Sequence, residues 1–498
     1  MLDVPVVPAP VRAERREGAP FVLRRGVRVL VGHEPAVVSL GVVAASDIGR
    51  RLAAPVALLR EDDGRPGIVE LALVTDPAEM GTPPDLAPAR AVEAYRIDVT
   101  AARITLSALD GLGLLRALAS LDQLARHNAA GDVSFAPMTV WDHPRYAWRG
   151  LCLDLARHFF DVATIKSVVA VLAGLKLNVL HLHLTDDQGW RIHLTSRPRL
   201  TEVSGSTAVG GDRGGFLTTD QYAEVVAYAQ SLGVTVVPEI DIPGHVNAAL
   251  HAYGELSPSG NPAPPYTGVG VGFSRLDGQL PATAEFLRAV FGEIAAMTPG
   301  PYVHLGGDEA LTMHAAEYDQ LVTIAAETLR GAGKTVVGWQ EAARTTLPPG
   351  SVLQLWDDAG DRADADVVLA AVTSGARIVL TPAARAYFDT RHDDASPVGR
   401  DWTRTTLRDA YEWEPADVLA VPEDQLLGVE AAVWTETIRT PRELFLMLLP
   451  RLAALADAAW ADPEQRTWEG FAEHLQRLTA RWDELGVPWY RAALETAT

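Results

Sequence analysis

A chain of 498 residues exceeds what one small core accommodates and predicts two domains, one of them large. Its net charge of −21 argues against nucleic acid and anionic membrane as partners, which both call for basic patches, and is compatible with a neutral substrate such as a sugar. The one cysteine, Cys152, excludes an intramolecular disulfide and a cysteine-based zinc site; it sits in an apolar run and is expected as a small buried hydrophobe.

Residues 1–21 contain no basic segment followed by an unbroken apolar stretch, and no apolar run reaches about 18 residues. Neither a signal peptide nor a membrane-spanning helix is therefore expected. The expected location is cytoplasmic, or secreted if an export signal has been trimmed. Residues 1–140 show short apolar runs at 27–31, 68–74 and 95–106, the last with alternation, and helical patterns at 37–52 and 113–127. This mix predicts a small α+β domain. It holds no cluster of histidines, cysteines or paired acids and reads as a structural module. Residues 137–146, with Trp141, Asp142 and Pro144, read as the linker to a second domain over 141–498.

From Arg149 the texture alternates between strand and helix. Strands are predicted at 150–155, 178–184, 235–240, 302–305, 335–337, 352–355, 377–380 and 427–433. Helices are predicted at 219–232, 282–297, 318–331 and 442–458, with another capped by Asp161 and presenting Ile165, Val168, Val169, Leu172 and Leu175 on its apolar face. Eight βα units over this length predict a (β/α)8 barrel. A doubly wound sheet is the alternative, but no Gly-rich phosphate loop follows any strand.

In such a barrel the chemistry lies where strands end. The fourth strand ends in Gly306-Gly307-Asp308-Glu309. Two ionised carboxylates side by side repel, so one is expected to hold its proton to higher pH. Adjacent residues of a strand point to opposite faces, so both serve one site only if the backbone leaves strand geometry, which the two glycines permit. The other ends carry Asp154, Arg157 and His158, with Arg149 at that strand's start; Asp186, Asp187 and Trp190; Glu239, Asp241 and His245; and Trp339 and Glu341. Trp356 and Asp357, Tyr387 and Asp389, and Trp434 and Glu436 complete the set. Carboxylates accept hydrogen bonds from hydroxyls, and indole faces cover the apolar face of a pyranose, so the recurrence points to a sugar pocket. His181 and His183, on one face of the second strand, could instead belong to a metal-dependent barrel hydrolase, with His245, His304 and Asp308 as further ligands. That pair precedes the strand's end, and a hydrogen-bonded place inside the barrel is the expected reading.

Four runs, in order, resemble the family 20 glycoside hydrolases, the β-N-acetylhexosaminidases. They are Arg149-Gly-Leu-Cys-Leu-Asp-Leu-Ala-Arg-His-Phe159, Asn178-Val-Leu-His-Leu-His-Leu-Thr-Asp-Asp-Gln-Gly-Trp190, Val237-Pro-Glu-Ile-Asp-Ile-Pro-Gly-His245 and His304-Leu-Gly-Gly-Asp-Glu309. The N-terminal residues resemble the α+β domain that precedes the barrel in that family. The resemblance implies an exo-acting, retaining enzyme whose substrate supplies its own nucleophile, releasing terminal GlcNAc or GalNAc. It implies Glu309 as general acid and base, Asp308 as the carboxylate that receives the acetamido N–H, and Tyr387 as the group that aims the acetamido carbonyl. Arg149 is implied at the 3- and 4-hydroxyls and Asp389 and Glu436 at the 4- and 6-hydroxyls. Trp339, Trp356 and Trp434 are implied as the pocket lining, with Asp186 and His245 beside Glu309. No metal or organic cofactor is implied. A non-catalytic sugar-binding relative is the remaining alternative, against which the joint presence of Asp308, Glu309 and Tyr387 counts.

Overall fold

The computed structural model describes residues 4–81, 83, 86–127, 132–357 and 362–495. In the N-terminal part a seven-stranded sheet runs in the order Arg12–Arg15, Met138–Asp142, Tyr95–Val99, Arg103–Ala108, Ile68–Leu73, Arg28–Leu30, Ala57–Leu59. Tyr95–Val99 and Arg103–Ala108 alternate buried and half-buried residues, the pattern of a sheet with one face on a core. Helices Pro35–Leu52 and Gly111–Leu124 cover that face.

The segment read as a linker is a strand. Met138–Asp142 lies inside the sheet, between Arg12–Arg15 and Tyr95–Val99. Its apolar residues fill core positions, Met138 and Val140 among them; Trp141 and Asp142, which suggested a linker, are its last two residues, and only Pro144 lies beyond it. The 95–106 run, read as one stretch, is two antiparallel strands joined at a tight turn.

The second part is a closed barrel of eight parallel strands: β1 Trp148–Asp154, β2 Val179–His183, β3 Thr235–Ile242, β4 Tyr302–Gly306, β5 Thr335–Trp339, β6 Val352–Leu355, β7 Arg377–Leu380 and β8 Leu426–Val433. Along every strand the side chains alternate between the ring of helices and the barrel interior. Leu151, Leu180, Val236, Val303, Leu353 and Val429 face outward into the main core. The interior is stratified. At the strand starts, Trp148, Val179, Val237, Val337, Val352, Val379 and Leu427 form an apolar plug. A buried polar layer of His181, Glu239, His304, Gln354 and Glu430 follows. Above it, at the strand ends, come Cys152, Trp339, Tyr387, Ala432 and Trp434.

The helices read from the sequence are present: Val162–Gly174, capped by the Asp161 carboxylate on Thr164 N–H, then Thr219–Ser231, Pro281–Met297 and Ala315–Gly331. The closing helix is instead two, Pro441–Leu448 and Arg451–Trp460, because Pro450 lacks the N–H a continuous helix needs. A further helix, Trp468–Leu485, buries Trp468, Phe471, Leu475, Leu478 and Trp482.

The two parts join beneath the barrel through buried ion pairs. Glu93 of the N-terminal part meets Arg149 at 2.5 Å and Arg116 at 2.7 Å, and Arg116 also donates to the Gly233 carbonyl. Lys176 meets Asp142 at 2.8 Å, and Trp460 Nε1 donates to the other oxygen of Asp142. Segments near the start and the end of the described residues meet on this side too. Ala9 N–H donates to Asp457, Gln465 donates to the Val11 carbonyl, and Arg481 of the last long helix binds Asp122 of Gly111–Leu124.

Candidate active site

β4 stops at Gly306, where the chain turns. Gly306 has φ +75° and Gly307 φ +116°, and Glu309 itself adopts φ +44°. A side chain at Gly306 has no room, since its Cβ would lie 1.7 Å from Asp241 Oδ1. The bend is held by Gly307 N–H donating to Asp241 Oδ1 (3.1 Å) and by the Tyr318 hydroxyl donating to the Gly307 carbonyl (2.6 Å). Out of strand geometry, the two neighbouring carboxylates reach the same atom: His245 Nε2 lies 3.3 Å from Glu309 Oε2 and 3.8 Å from Asp308 Oδ2.

His245 follows Pro243-Gly244 at the end of β3 and also has positive φ, +54°. Its Nδ1 lies 3.2 Å from Asp186 Oδ1. Asp186 Oδ2 meets Arg157 at 2.6 Å and His183 Nε2 at 2.9 Å. Burial works against charge throughout this cluster, and at Asp186 and His245 the partners prevail. Arg157 and His245 hold the Asp186 carboxyl well below the usual range, and Asp186 with Asp308 holds the His245 proton on to well above neutrality. Asp308 is pushed up to about 6, by burial first and by the Glu309 and Glu239 charges, with His245 opposing. Asp241, buried beneath the bend, is raised by burial and by Asp308. Of the two neighbouring carboxyls, Asp308 is the one raised, and burial is the main cause.

Of the aromatic residues named from the strand ends, Trp339, Trp356, Tyr387 and Trp434 form one box, whereas Trp190 packs against Phe286 in the outer core. Trp339 and Trp434 have ring centroids 6.0 Å apart, Tyr387 packs edge-on to Trp434 at 6.0 Å, and half-buried Trp356 closes the cluster. The Trp356 indole N–H donates to Glu341 (3.3 Å), a carboxyl that burial and Asp308 push up to about 8. The Tyr387 hydroxyl is held protonated by burial and by the Asp308 and Asp389 carboxylates. Asp389 is fully buried, and neither of its oxygens has a hydrogen-bond partner among the described residues. Burial, then the neighbouring Glu436, pushes it up to about 7. Glu436 accepts from Arg400 at 2.9 Å through Oε1, and its Oε2 has no hydrogen-bond partner among the described residues. Two buried carboxyls with acceptor oxygens to spare suit a ligand rich in hydroxyls.

One assignment is corrected. Arg149 lies at the start of β1, fully buried, and donates to Glu93 and to the Tyr146 and Lys176 carbonyls. It joins the two domains at the opposite end of the barrel from Asp308. The arginine at the mouth is Arg157, just past the end of the same strand, with its guanidinium 5.1 Å over the Trp434 ring. Trp402, 52% exposed and edge-on to Tyr387 at 6.4 Å, is a further aromatic at the mouth that no strand-end pattern could indicate. His181 and His183 take the interior, hydrogen-bonded place read for them: His181 Nδ1 is 2.9 Å from Glu430, and His183 bridges Glu239 and Asp186.

Known proteins share both halves of this arrangement. The model "Glycosyl hydrolase family 20, catalytic domain" matches residues 146–463, and "Glycosyl hydrolase family 20, domain 2" matches residues 3–143. A beta-N-acetylhexosaminidase of Cellulomonas fimi is 48% identical over 98% of this chain and 96% of its own length. Among solved structures, the beta-N-acetylhexosaminidase of Streptomyces coelicolor A3(2) superposes with a TM-score of 0.91 at 35% identity, covering 98% of this chain and 97% of that one. A mutant Streptomyces plicatus beta-hexosaminidase in complex with product GlcNAc has the same TM-score at 36% identity, covering 98% and 96%. With near-complete coverage and a bent carboxylate pair at the mouth of the barrel, this chain belongs to glycosyl hydrolase family 20.

Proposed function

We propose that this β-N-acetylhexosaminidase cleaves terminal N-acetylhexosaminides through the substrate's own acetamido group, with retention at the anomeric carbon. The observation that carries the division of labour is the bend at Gly306-Gly307, which turns both Asp308 and Glu309 to His245. Glu309 donates its proton to the glycosidic oxygen as the bond to the anomeric carbon breaks. The acetamido carbonyl oxygen forms the new bond to that carbon, giving an oxazolinium ion. Asp308, ionised, accepts the acetamido N–H and balances the positive charge as it spreads over the ring. Water then adds at the anomeric carbon, giving its proton to Glu309 and regenerating the acetamide.

The same reading places the sugar ring on Trp434 within the aromatic box and the acetamido carbonyl against the Tyr387 hydroxyl. Arg157, rather than Arg149, takes the ring hydroxyls together with Asp389 and Glu436, the buried carboxyls with spare acceptor oxygens. Hydrolysis of paired aryl β-glycosides, with and without the 2-acetamido group, tests the mechanism. Turnover of the N-acetylglucosaminide with an inert glucoside supports it; comparable rates would overturn it.

A further inference from the structure

The steps above leave Glu239 without a part, although it stands at the centre of the barrel. It is fully buried on β3, and its two oxygens point to different neighbours. Oε1 accepts from Trp339 Nε1 at 2.8 Å and lies 3.2 Å from His304 Nδ1. Oε2 is 2.5 Å from His183 Nδ1 and 3.1 Å from His181 Nε2. From His183 the contacts continue without a gap. Its Nε2 is 2.9 Å from Asp186 Oδ2, Asp186 Oδ1 is 3.2 Å from His245 Nδ1, and His245 Nε2 is 3.3 Å from Glu309.

We propose that Glu239 is a positioning residue for the hydrolysis, one carboxylate that fixes both a wall of the sugar pocket, through Trp339, and the aim of the proton donor's imidazole, through His183 and Asp186. The chemistry of the group supports this. A carboxylate accepts on both oxygens at once, so it serves an indole N–H and an imidazole N–H together. An amide of the same shape accepts on one side only and turns N–H groups toward the other. The surrounding histidines keep the side chain in the accepting form: despite burial, His183, His304 and His181 hold the Glu239 carboxyl well below its usual range. Glu239 and Asp186 in turn raise His183 to about 9, against burial, so that it donates from both ring nitrogens.

The charged groups around this path are few. His183 faces Glu239, Asp186, Asp241 and Arg157, with the Trp434 ring edge-on. His245 faces Asp186, Asp187, Asp241, Asp308 and Glu309. His181 faces Glu430 and Cys152 as well as Glu239. None of these replaces the two-sided acceptor at the centre.

The inference rests on the hexosaminidase reading, and the parent's turnover of 4-nitrophenyl N-acetyl-β-glucosaminide tests that reading by itself. An inactive parent would sink the reading; an active parent with insensitive variants would sink only this inference. Three full-length variants are compared by thermal melting and by kcat and KM across pH. Glu239→Gln is expected to fold, to lose on the order of ten- to a hundredfold in kcat/KM, and to displace the alkaline limb of the profile by about half a pH unit or more. His183→Gln should displace the limb with a smaller change in KM. Trp339→Phe, which removes the indole N–H together with part of the ring but leaves the His183 arm untouched, should raise KM and leave the limb in place. A folded Glu239→Gln variant whose profile superimposes on the parent's overturns the proposal. Should that variant not fold, an unmoved limb in His183→Gln overturns it instead, and a moved one supports it.

Discussion

Glu309 and Asp186 lie on opposite sides of one imidazole, 3.3 Å and 3.2 Å from the two nitrogens of His245. Asp186 is tied to Arg157 and His183 and stays ionised, so His245 keeps its proton and presents a positive charge to the acid pair. The active carboxylates are therefore held by a fixed cation whose own position is set from the far side.

Glu309→Gln removes the transferable proton and leaves the bend intact. Glycosides with poor leaving groups should lose on the order of 10²- to 10⁴-fold in kcat, while aryl glycosides with activated leaving groups lose much less. A leaving-group series measures this, and equal losses across it would contradict the acid role.

Asp308→Asn should lower kcat on both kinds of substrate alike, on the order of 10²- to 10³-fold, because it acts on the nucleophile and the developing charge. In the parent, Asp308 must be ionised to work. Its carboxyl titrates at about 6, so kcat/KM should rise with pH through that value and fall away below it. A flat profile between pH 5 and 7, a window set by that titration, would separate Asp308 from the rate.

Asp389 gives a prediction about stability. Its carboxyl is raised to about 7 in the fold, so the folded state binds its proton more tightly than the unfolded chain does. The stabilisation is complete at acid pH and is lost as pH rises toward 7, where the buried group must ionise without a hydrogen-bond partner. Asp389→Asn should thus stabilise the protein by a few kcal/mol at about pH 8 and by less near pH 5, while impairing turnover. Thermal melts of both proteins at the two pH values test the sign; a gain that grows toward acid pH would refute it.

Two arginines of one sequence run should separate cleanly. Arg149→Met leaves Glu93 with one cationic partner and two carbonyls unpaired, and should cost about 3–5 kcal/mol of stability with KM unchanged for the folded enzyme. Arg157→Met at the mouth should lower kcat/KM about ten- to a hundredfold. A KM defect in the Arg149 variant would return it to the sugar site.

The barrel was legible because each strand is a short apolar run with a polar end, and β6 and β7 were read to the residue. The carboxylate pair and its glycines were legible for the same reason. Arg149 was misplaced because resemblance to a run does not say which of its arginines faces the mouth. From Arg149 to the end of the strand at Asp154 the chain advances about 16 Å, and Arg157 lies beyond that end, which puts the two arginines at opposite ends of the barrel. Glu239 looked like one more strand-end acid, since its partners come from β2, β4 and β5 and nothing local records their convergence. The strand Met138–Asp142 was hidden by the tryptophan, aspartate and proline that surround the domain junction.

The knitting of early and late segments beneath the barrel bears on how the protein is made. Residues 9 and 11 bind residues 457 and 465, and Asp122 binds Arg481. The sheet domain, made before the barrel, therefore waits for helix Trp468–Leu485 before its underside is sealed.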